Sequence, residues 1–198
     1  FAFDQILSNG ACGAAMVAAM VMYMSSDPYD YALSEPDKPA KAIDSGLYIV
    51  ATPIGNLADM SQRAIDMLRA ADLIAVEDSR VTGKLLHHLG LKKRMRPYHD
   101  HSSEADRDAL LAVARDGVVV LVSDAGTPLI SDPGYKLVRA AREAGIAVST
   151  APGASAVIAA LSISGLPTDR FLFAGFLPSK AKARSDAIAE FGNVKSTL

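Results

Sequence analysis

The stretch that decides the fold is Val118–Gly134, which reads VVVLVSDAGTPLISDPG. Its first part, Val118–Val122, is an unbroken apolar run in which all residues but one are β-branched. A run without polar alternation predicts a strand that is covered on both faces, as in a parallel sheet. The polar loop Ser123–Gly134 follows it, and Asp132 and Pro133 are predicted to start the next helix as N-cap and first helical residue.

On both sides of this stretch, short apolar runs alternate with segments of helical period. The other predicted strands are Leu47–Ala51, Leu73–Val76 and Ala147–Thr150. The other predicted helices are one with Ser61 as N-cap, then Val81–Leu89, Ser103–Arg115, Ala154–Ser164 and Ala183–Phe191. Alternating strands and helices predict βαβ units, and therefore an α/β fold with an open parallel sheet and flanking helices.

The sequence is predicted to divide into three parts. Residues 1–45 form an extension of unknown structure, in which the apolar run Ala11–Met24 is followed by a proline-rich segment. Residues 46–166 form the α/β lobe. Residues 167–198, with the aromatic stretch Arg170–Phe176 and the basic stretch Lys180–Arg184, are expected to be the start of a second, incomplete α/β lobe.

Composition limits the class of protein. Half of the residues are hydrophobic, 21% are charged and the net charge is −2, which is typical of a globular α/β protein. This balance argues against a strongly basic nucleic-acid binder, although the cluster Lys92–Arg96 could contact RNA or simply be solvated. Ala11–Met24 is too short to span a bilayer and has no basic segment before it, and the single Cys12 fits a reducing compartment. We therefore expect a cytoplasmic protein without a membrane segment.

Four loops follow the predicted strands, at the edge where open parallel sheets bind ligands. They are Thr52–Asn56, Glu77–Arg80, Ser123–Gly134 and Ala151–Ser155. All are rich in Gly, Pro, Ser, Thr or Asp, residues that let a backbone approach a ligand and offer it short polar groups. Ordinary turn chemistry explains one such loop more readily than four in succession.

Asp124 is a candidate binding group, because it directly follows the buried strand and Pro128 prevents a helix from starting there. Its carboxylate could accept hydrogen bonds from a ribose or an amino group, or face a positive ligand. No G-x-G-x-x-G follows a strand, and Asp78 stands where a P-loop ending at Gly83 and Lys84 would require glycine. The four histidines lack regular ligand spacing, so no metal site is predicted.

Five motifs occur in a fixed order along the chain. They are TPIGNL at Thr52–Leu57, EDSR at Glu77–Arg80, the loop Ser123–Gly134, PGAS at Pro152–Ser155 and FAGFLP at Phe173–Pro178. Together they resemble the tetrapyrrole methylase superfamily, and within it the bacterial enzymes that methylate the 2′-hydroxyl of a cytidine in small-subunit ribosomal RNA. The resemblance runs from about Gly46 to the end of the sequence.

The resemblance implies two α/β lobes with S-adenosyl-L-methionine in the cleft between them, a homodimer, and small-subunit ribosomal RNA as partner. Matched by motif, the implied cofactor-binding residues are Pro53, Asp124, Ala125, Gly126, Thr127, Ser155 and Ala156. Residues 1–45 have no counterpart in the family, and most of the second lobe is expected to be absent. Half of the cofactor cleft should then be missing from this chain.

A ribose hydroxyl is a weak nucleophile, so a base that removes its proton would help methyl transfer. Glu77 or Asp78 is the candidate base or hydroxyl anchor, and Arg80 is the candidate phosphate clamp. The competing interpretation is an Asp–Arg pair that only shapes the loop. Two other functions stay open: a methylase of a tetrapyrrole or another small molecule, and a truncated, non-catalytic binding lobe.

Overall fold

The computed structural model describes residues 43–192 and 194–197, and they contain one parallel sheet with helices on both faces. The strands are β1 Gly46–Val50, β2 Leu73–Val76, β3 Met95–Pro97, β4 Val118–Val122 and β5 Val148–Ala151, in the order β3-β2-β4-β1-β5. The helices are α1 Gln62–Ala70, α2 Ser79–His88, α3 Glu104–Asp116, α4 Tyr135–Glu143, α5 Ala156–Ile163 and α6 Ala181–Phe191. The predicted fold class is confirmed.

The position of the central strand β4 explains why its sequence is entirely apolar. It pairs in parallel with β2 and β1, and all five of its residues are buried. Val118, Val120 and Val122 pack on one side with α1 and α2, while Val119 and Leu121 pack on the other with α3 and α4. Because both faces of the strand are covered, no position on it tolerates a polar side chain.

The chain order creates a switch point in the sheet. The chain passes from β1 through β2 to β3 in one direction and from β3 through β4 to β5 in the other. The neighbours β1 and β4 therefore send their connections to opposite sides. Ligands of doubly wound sheets bind beyond the carboxyl ends of the strands at such a point.

Several helix ends follow the predicted capping chemistry. The Ser61 hydroxyl accepts a hydrogen bond from the backbone N–H of Ala64 at 3.2 Å, and Ser103 forms a capping box with Asp106 at the start of α3. Gly90 follows α2 with a φ of 67°, a left-handed conformation that glycine adopts without strain.

The start of α4 differs from the prediction. Asp132 and Pro133 do not begin the helix; Gly134 is its N-cap, with a φ of 132° and no side-chain cap. A Cβ atom at Gly134 would lie 2.7 Å from Cδ2 of Leu121 in the central strand, so the chain passes too close to the sheet for any side chain. The loop needs two more residues than predicted before it is clear of β4.

Strand β3 was not predicted. It has three residues, lies at the edge of the sheet and pairs only with β2. It lies inside the basic cluster Lys92–Arg96, where a short charged edge strand gives no apolar pattern. Arg96 forms an ion pair with Asp106 at 2.9 Å, and Lys93 donates a hydrogen bond to the carbonyl of Ala71. Both cations thus hold β3 and its flanks in place.

The predictions for Ala11–Met24 and Cys12 lie outside the described residues. Along 43–192 and 194–197, no helix is long and apolar enough to cross a membrane. In the same part of the chain, no three His, Cys, Asp or Glu side chains are arranged to hold a metal ion. The predicted division at residue 166 stays a prediction.

Candidate functional site

The loops after β1, β4 and β5 are tied together at the carboxyl edge of the sheet. Thr52 and Gly126 exchange two backbone hydrogen bonds, at 2.9 and 3.0 Å. The hydroxyl of Thr127 donates to the carbonyl oxygen of Ala154 at 3.0 Å. These hydrogen bonds therefore hold the three loops together at the carboxyl edge of the sheet.

The loop after β2 joins the same network through Asp124. One carboxylate oxygen of Asp124 accepts a hydrogen bond from the backbone N–H of Asp78 at 3.1 Å. In return the backbone N–H of Asp124 points to the Glu77 carboxylate at 3.4 Å. The predicted cofactor-binding loop and the predicted catalytic loop thus contact each other at the edge of the sheet where both were expected.

A pocket of about 210 Å³ lies against these connected loops. Five of the implied cofactor-binding residues line it: Ala125, Gly126, Thr127, Ser155 and Ala156. Pro53 and Asp124 do not line it, although Pro53 precedes a lining residue, Ile54, and Asp124 precedes another, Ala125. The loops therefore bring most of the implied residues to one place.

Close backbone approach makes this pocket possible. Gly126 has a φ of 86°, and a Cβ atom there would lie 3.3 Å from Cγ2 of Ile54. A side chain at Gly126 would be strained by the backbone and would crowd the wall of the pocket.

Sequence reasoning missed the apolar wall of the pocket and one acidic group. The additional lining residues are Ile54, Ile130, Ser131, Asp132, Val157, Phe173 and Phe176. The FAGFLP motif was a signal for the two aromatic residues, because phenylalanines in a loop rich in small residues often line a site. Asp132 was interpreted as a helix cap, and that interpretation hid its place in the pocket.

Three carboxylates, of Glu77, Asp124 and Asp132, lie close enough to influence one another, and that of Asp132 lines the pocket. The pKa of Glu77 is raised above its usual value, first by burial and then by the negative charges of Asp124, Asp132 and Asp100. The pKa of Asp132 is also raised, by burial and by the charge of Asp124, while contact with the Ser123 hydroxyl opposes the rise. A cluster of this kind favours either a proton or a cationic ligand.

Asp78 and Arg80 are arranged differently from Glu77. Asp78 is the N-cap of α2 and accepts the backbone N–H of Arg80 at 2.8 Å. The Arg80 guanidinium also binds the same carboxylate through Nε and Nη2, and these contacts lower the pKa of Asp78 to about 2. The side chain of Arg80 is otherwise 88% exposed. Asp78 therefore already caps a helix and pairs with a cation, and it holds a proton poorly at neutral pH.

The arrangement can bind a positively charged, partly apolar ligand and can offer one carboxylate as a base. General bases work best when their pKa approaches the working pH. The environment moves Glu77 in that direction and moves Asp78 away from it.

Known proteins agree with this architecture. Residues 46–198 match the family described as Tetrapyrrole (Corrin/Porphyrin) Methylases. The chain is 57% identical to the Ribosomal RNA small subunit methyltransferase I of Erythrobacter litoralis, over 82% of this chain and 58% of that protein. It is 58% identical to the protein of the same name from Escherichia coli O157:H7, over 72% of this chain and 50% of that one.

A solved structure shows the same fold. The crystal structure of a diphthine synthase superposes with a TM-score of 0.52 at 21% identity, covering 64% of this chain and 51% of that one. The chain spans about half the length of the curated relatives it matches. From its fold and from these matches, the chain belongs to the tetrapyrrole methylase family.

Proposed function

We propose that this chain supplies the cofactor-binding lobe of an S-adenosyl-L-methionine-dependent enzyme that methylates a cytidine 2′-hydroxyl in small-subunit ribosomal RNA. The observation that carries the proposal is the pocket that residues of the motif loops line together, with Asp132 in its wall. The carboxyl group of Glu77, whose pKa is raised in part by the charge of Asp132, lies close to it. The names of the relatives above support RNA as the substrate.

The pocket suits this cofactor in charge and in shape. The cofactor has a positive sulfonium and an ammonium group. The carboxylate of Asp132 lines the pocket, and Asp124 directly precedes another lining residue, Ala125. Ile54, Ile130 and Phe173 offer apolar surface to its adenosyl part. When bound, the cofactor supplies an activated methyl group.

Glu77 is the proposed base. Its carboxylate would accept the proton of the ribose hydroxyl as that oxygen attacks the methyl group, and burial beside other acids makes the protonated product less costly. Asp78 would act by holding the start of α2 in place. Arg80, exposed and three residues after Glu77 in the chain, would contact a phosphate of the RNA.

Assembly and location are proposed from the same resemblance. We expect the whole protein to be a cytoplasmic homodimer. Helix α5 supports an interface, because it is strongly apolar yet has no buried residue, with Ile158 53% and Ile163 86% exposed. Analytical ultracentrifugation of the full-length protein tests this, and a monomer at micromolar concentration would contradict it.

Small ribosomal subunits from cells that lack the gene provide the direct test of the substrate. With the full-length enzyme and labelled cofactor, we expect one methyl group per subunit, mapped by mass spectrometry to a cytidine ribose. Labelling of a tetrapyrrole or another small molecule instead would identify the enzyme as a small-molecule methylase.

Calorimetry with the cofactor separates the remaining alternative. Saturable binding at micromolar to sub-millimolar cofactor is the expected result for this chain or for the full-length protein. An absence of binding at millimolar cofactor in both would indicate a non-catalytic lobe.

A further inference from the structure

A second cavity, of about 310 Å³, lies between the loop that follows β3 and the first turns of α3 and α4. Its lining consists of Tyr98, Ser102, Ser103, Glu104, Arg107, Tyr135, Lys136 and Arg139. Three of these are cationic and one is acidic, so the cavity has an excess of positive charge. None of the implied cofactor-binding or catalytic residues lines it.

Tyr98 places a polar group in the wall of this cavity. Its side chain is only 4% exposed, and it lines the cavity. Its hydroxyl can serve a ligand there as a hydrogen-bond donor. Burial and the charge of Asp100 raise the pKa of Tyr98, against the opposing effect of Arg107, so the hydroxyl is a donor at neutral pH.

The cations of the cavity converge on the amino end of α4. This helix has no side-chain cap, so its first backbone N–H groups are available to an anion. The ammonium of Lys136 contacts only the carbonyl oxygen of Asp100, at 3.3 Å, among the described residues. Arg139 pairs with Glu143 at 3.5 Å, but both side chains are more than half exposed, and such a pair is easily exchanged for a stronger anion.

The acidic neighbours leave the balance positive. Arg107 lies 3.7 Å from Glu104 and 3.3 Å from Asp108, and both of these carboxylates are mostly exposed. The guanidinium of Arg107 is only 24% exposed and remains inside the cavity wall.

An exposed aromatic ring favours RNA over a free phosphate. Tyr135 is 64% exposed, and the guanidinium of Arg139 lies 5.9 Å from the centre of its ring. A cationic groove next to an accessible aromatic ring is the combination that binds a phosphate and stacks the adjoining base.

The cavity also has the right position relative to the reacting group. The backbone N–H of Tyr98 donates to the carbonyl of Val76 at 2.8 Å, and Glu77 is the next residue. Tyr98 in the cavity and Glu77 therefore follow neighbouring strands of the sheet.

We infer that Tyr98, Arg107, Lys136 and Arg139 bind a backbone phosphate of the substrate RNA close to the target nucleotide. This inference rests on the proposed function, because it assumes an RNA substrate. The site holds the strand so that the ribose lies over Glu77, and Tyr135 stacks on a neighbouring base.

The test uses the full-length enzyme with undermethylated small ribosomal subunits. Tyr98→Phe removes only the hydroxyl, and Arg139→Ala removes one cation. We expect KM for the subunits to rise about tenfold for Arg139→Ala and severalfold for Tyr98→Phe, with kcat and cofactor affinity unchanged. The dependence of log KM on log salt should flatten by about 0.7 to 0.9 for Arg139→Ala, the value of one lost phosphate contact.

Arg142→Ala is the matched control, because Arg142 is an exposed cation on the same helix that does not line the cavity. It should leave KM and its salt dependence unchanged. Thermal stability separates a structural role, since Tyr98→Phe should not lower the melting temperature if its hydroxyl has no partner in the free protein. If Tyr98→Phe and Arg139→Ala behave like Arg142→Ala, this inference is wrong and the proposed function is unaffected. A wild-type enzyme that neither binds nor methylates the subunits would overturn the proposed function and this inference together.

Discussion

The two cavities at the carboxyl edge of the sheet differ in how they are built. The proposed cofactor pocket is lined mainly by small and apolar residues, on loops that are hydrogen-bonded to one another, with the carboxylate of Asp132 in its wall. The second cavity is lined by three cations, two tyrosines, two serines and one glutamate, from the loop after β3 and the first turns of α3 and α4. The same part of the fold therefore has an acidic, partly apolar pocket and a separate cationic cavity.

The largest expected effect is on catalysis. Glu77→Gln keeps the size of the side chain and removes the base, so kcat for methylation should fall by about 10² to 10⁴ while the affinity for the cofactor changes little. Asp78→Asn is the matched control: it removes a neighbouring carboxylate, but asparagine also caps helices well, so kcat should fall far less. Single-turnover methylation with saturating subunits measures both. Equal losses in the two variants would mean that the loop geometry matters and Glu77 has no special role.

The next effect concerns the charge of the cofactor. Asp132→Asn reduces the negative charge in the wall of the pocket, so it should weaken the binding of S-adenosyl-L-methionine by about tenfold. It should weaken S-adenosylhomocysteine less, because that product has no sulfonium charge. Calorimetry with both ligands gives the comparison. An equal loss of affinity for the two ligands would show that Asp132 shapes the pocket but does not interact with the sulfonium charge.

A smaller effect is expected on stability, with opposite signs for adjacent residues. The pKa of Glu77 is raised in the folded protein, so its ionisation opposes folding, and this loss of stability appears as pH rises through the folded pKa. Glu77→Gln should therefore melt a few degrees higher than wild type at pH 7 to 8, and the gain should vanish near pH 4.

The ionised carboxylate of Asp78 should have the opposite effect and stabilise the fold. Its pKa is lowered to about 2, so its contribution is present above its unfolded pKa and is lost as pH falls towards 2. Asp78→Ala, which removes the cap and the partner of Arg80, should lower the melting temperature at pH 7. Calorimetric scans from pH 3 to pH 8 measure both variants, and a gain that persists at pH 4 for Glu77→Gln would contradict the assigned pKa direction.

Much of this fold was predictable, because β4 and its neighbours follow a simple rule. A strand buried on both faces must be apolar throughout, and helices that pack on it show their period and their caps. The four loops at the carboxyl edge were predictable for the same reason, since parallel strands place their ends together.

Other features depend on contacts that no local pattern contains. Strand β3 is short, charged and at an edge, so its sequence predicts a solvent-exposed segment and not a strand. The start of α4 depends on the distance between Gly134 and Leu121 in space. The difference between Glu77 and Asp78 arises from partners in the loop after β4 and on α2, and adjacent carboxylates are equivalent until those partners are known.

The pH dependence of a single turnover tests the central claim most directly. With RNA and cofactor both saturating, the wild-type rate should rise with pH and level off above the pKa of one carboxyl group, which is raised from the usual value of a glutamate. Glu77→Gln should be slow and should lack this inflection. An inflection that persists unchanged in Glu77→Gln would show that another group takes the proton and would contradict the account.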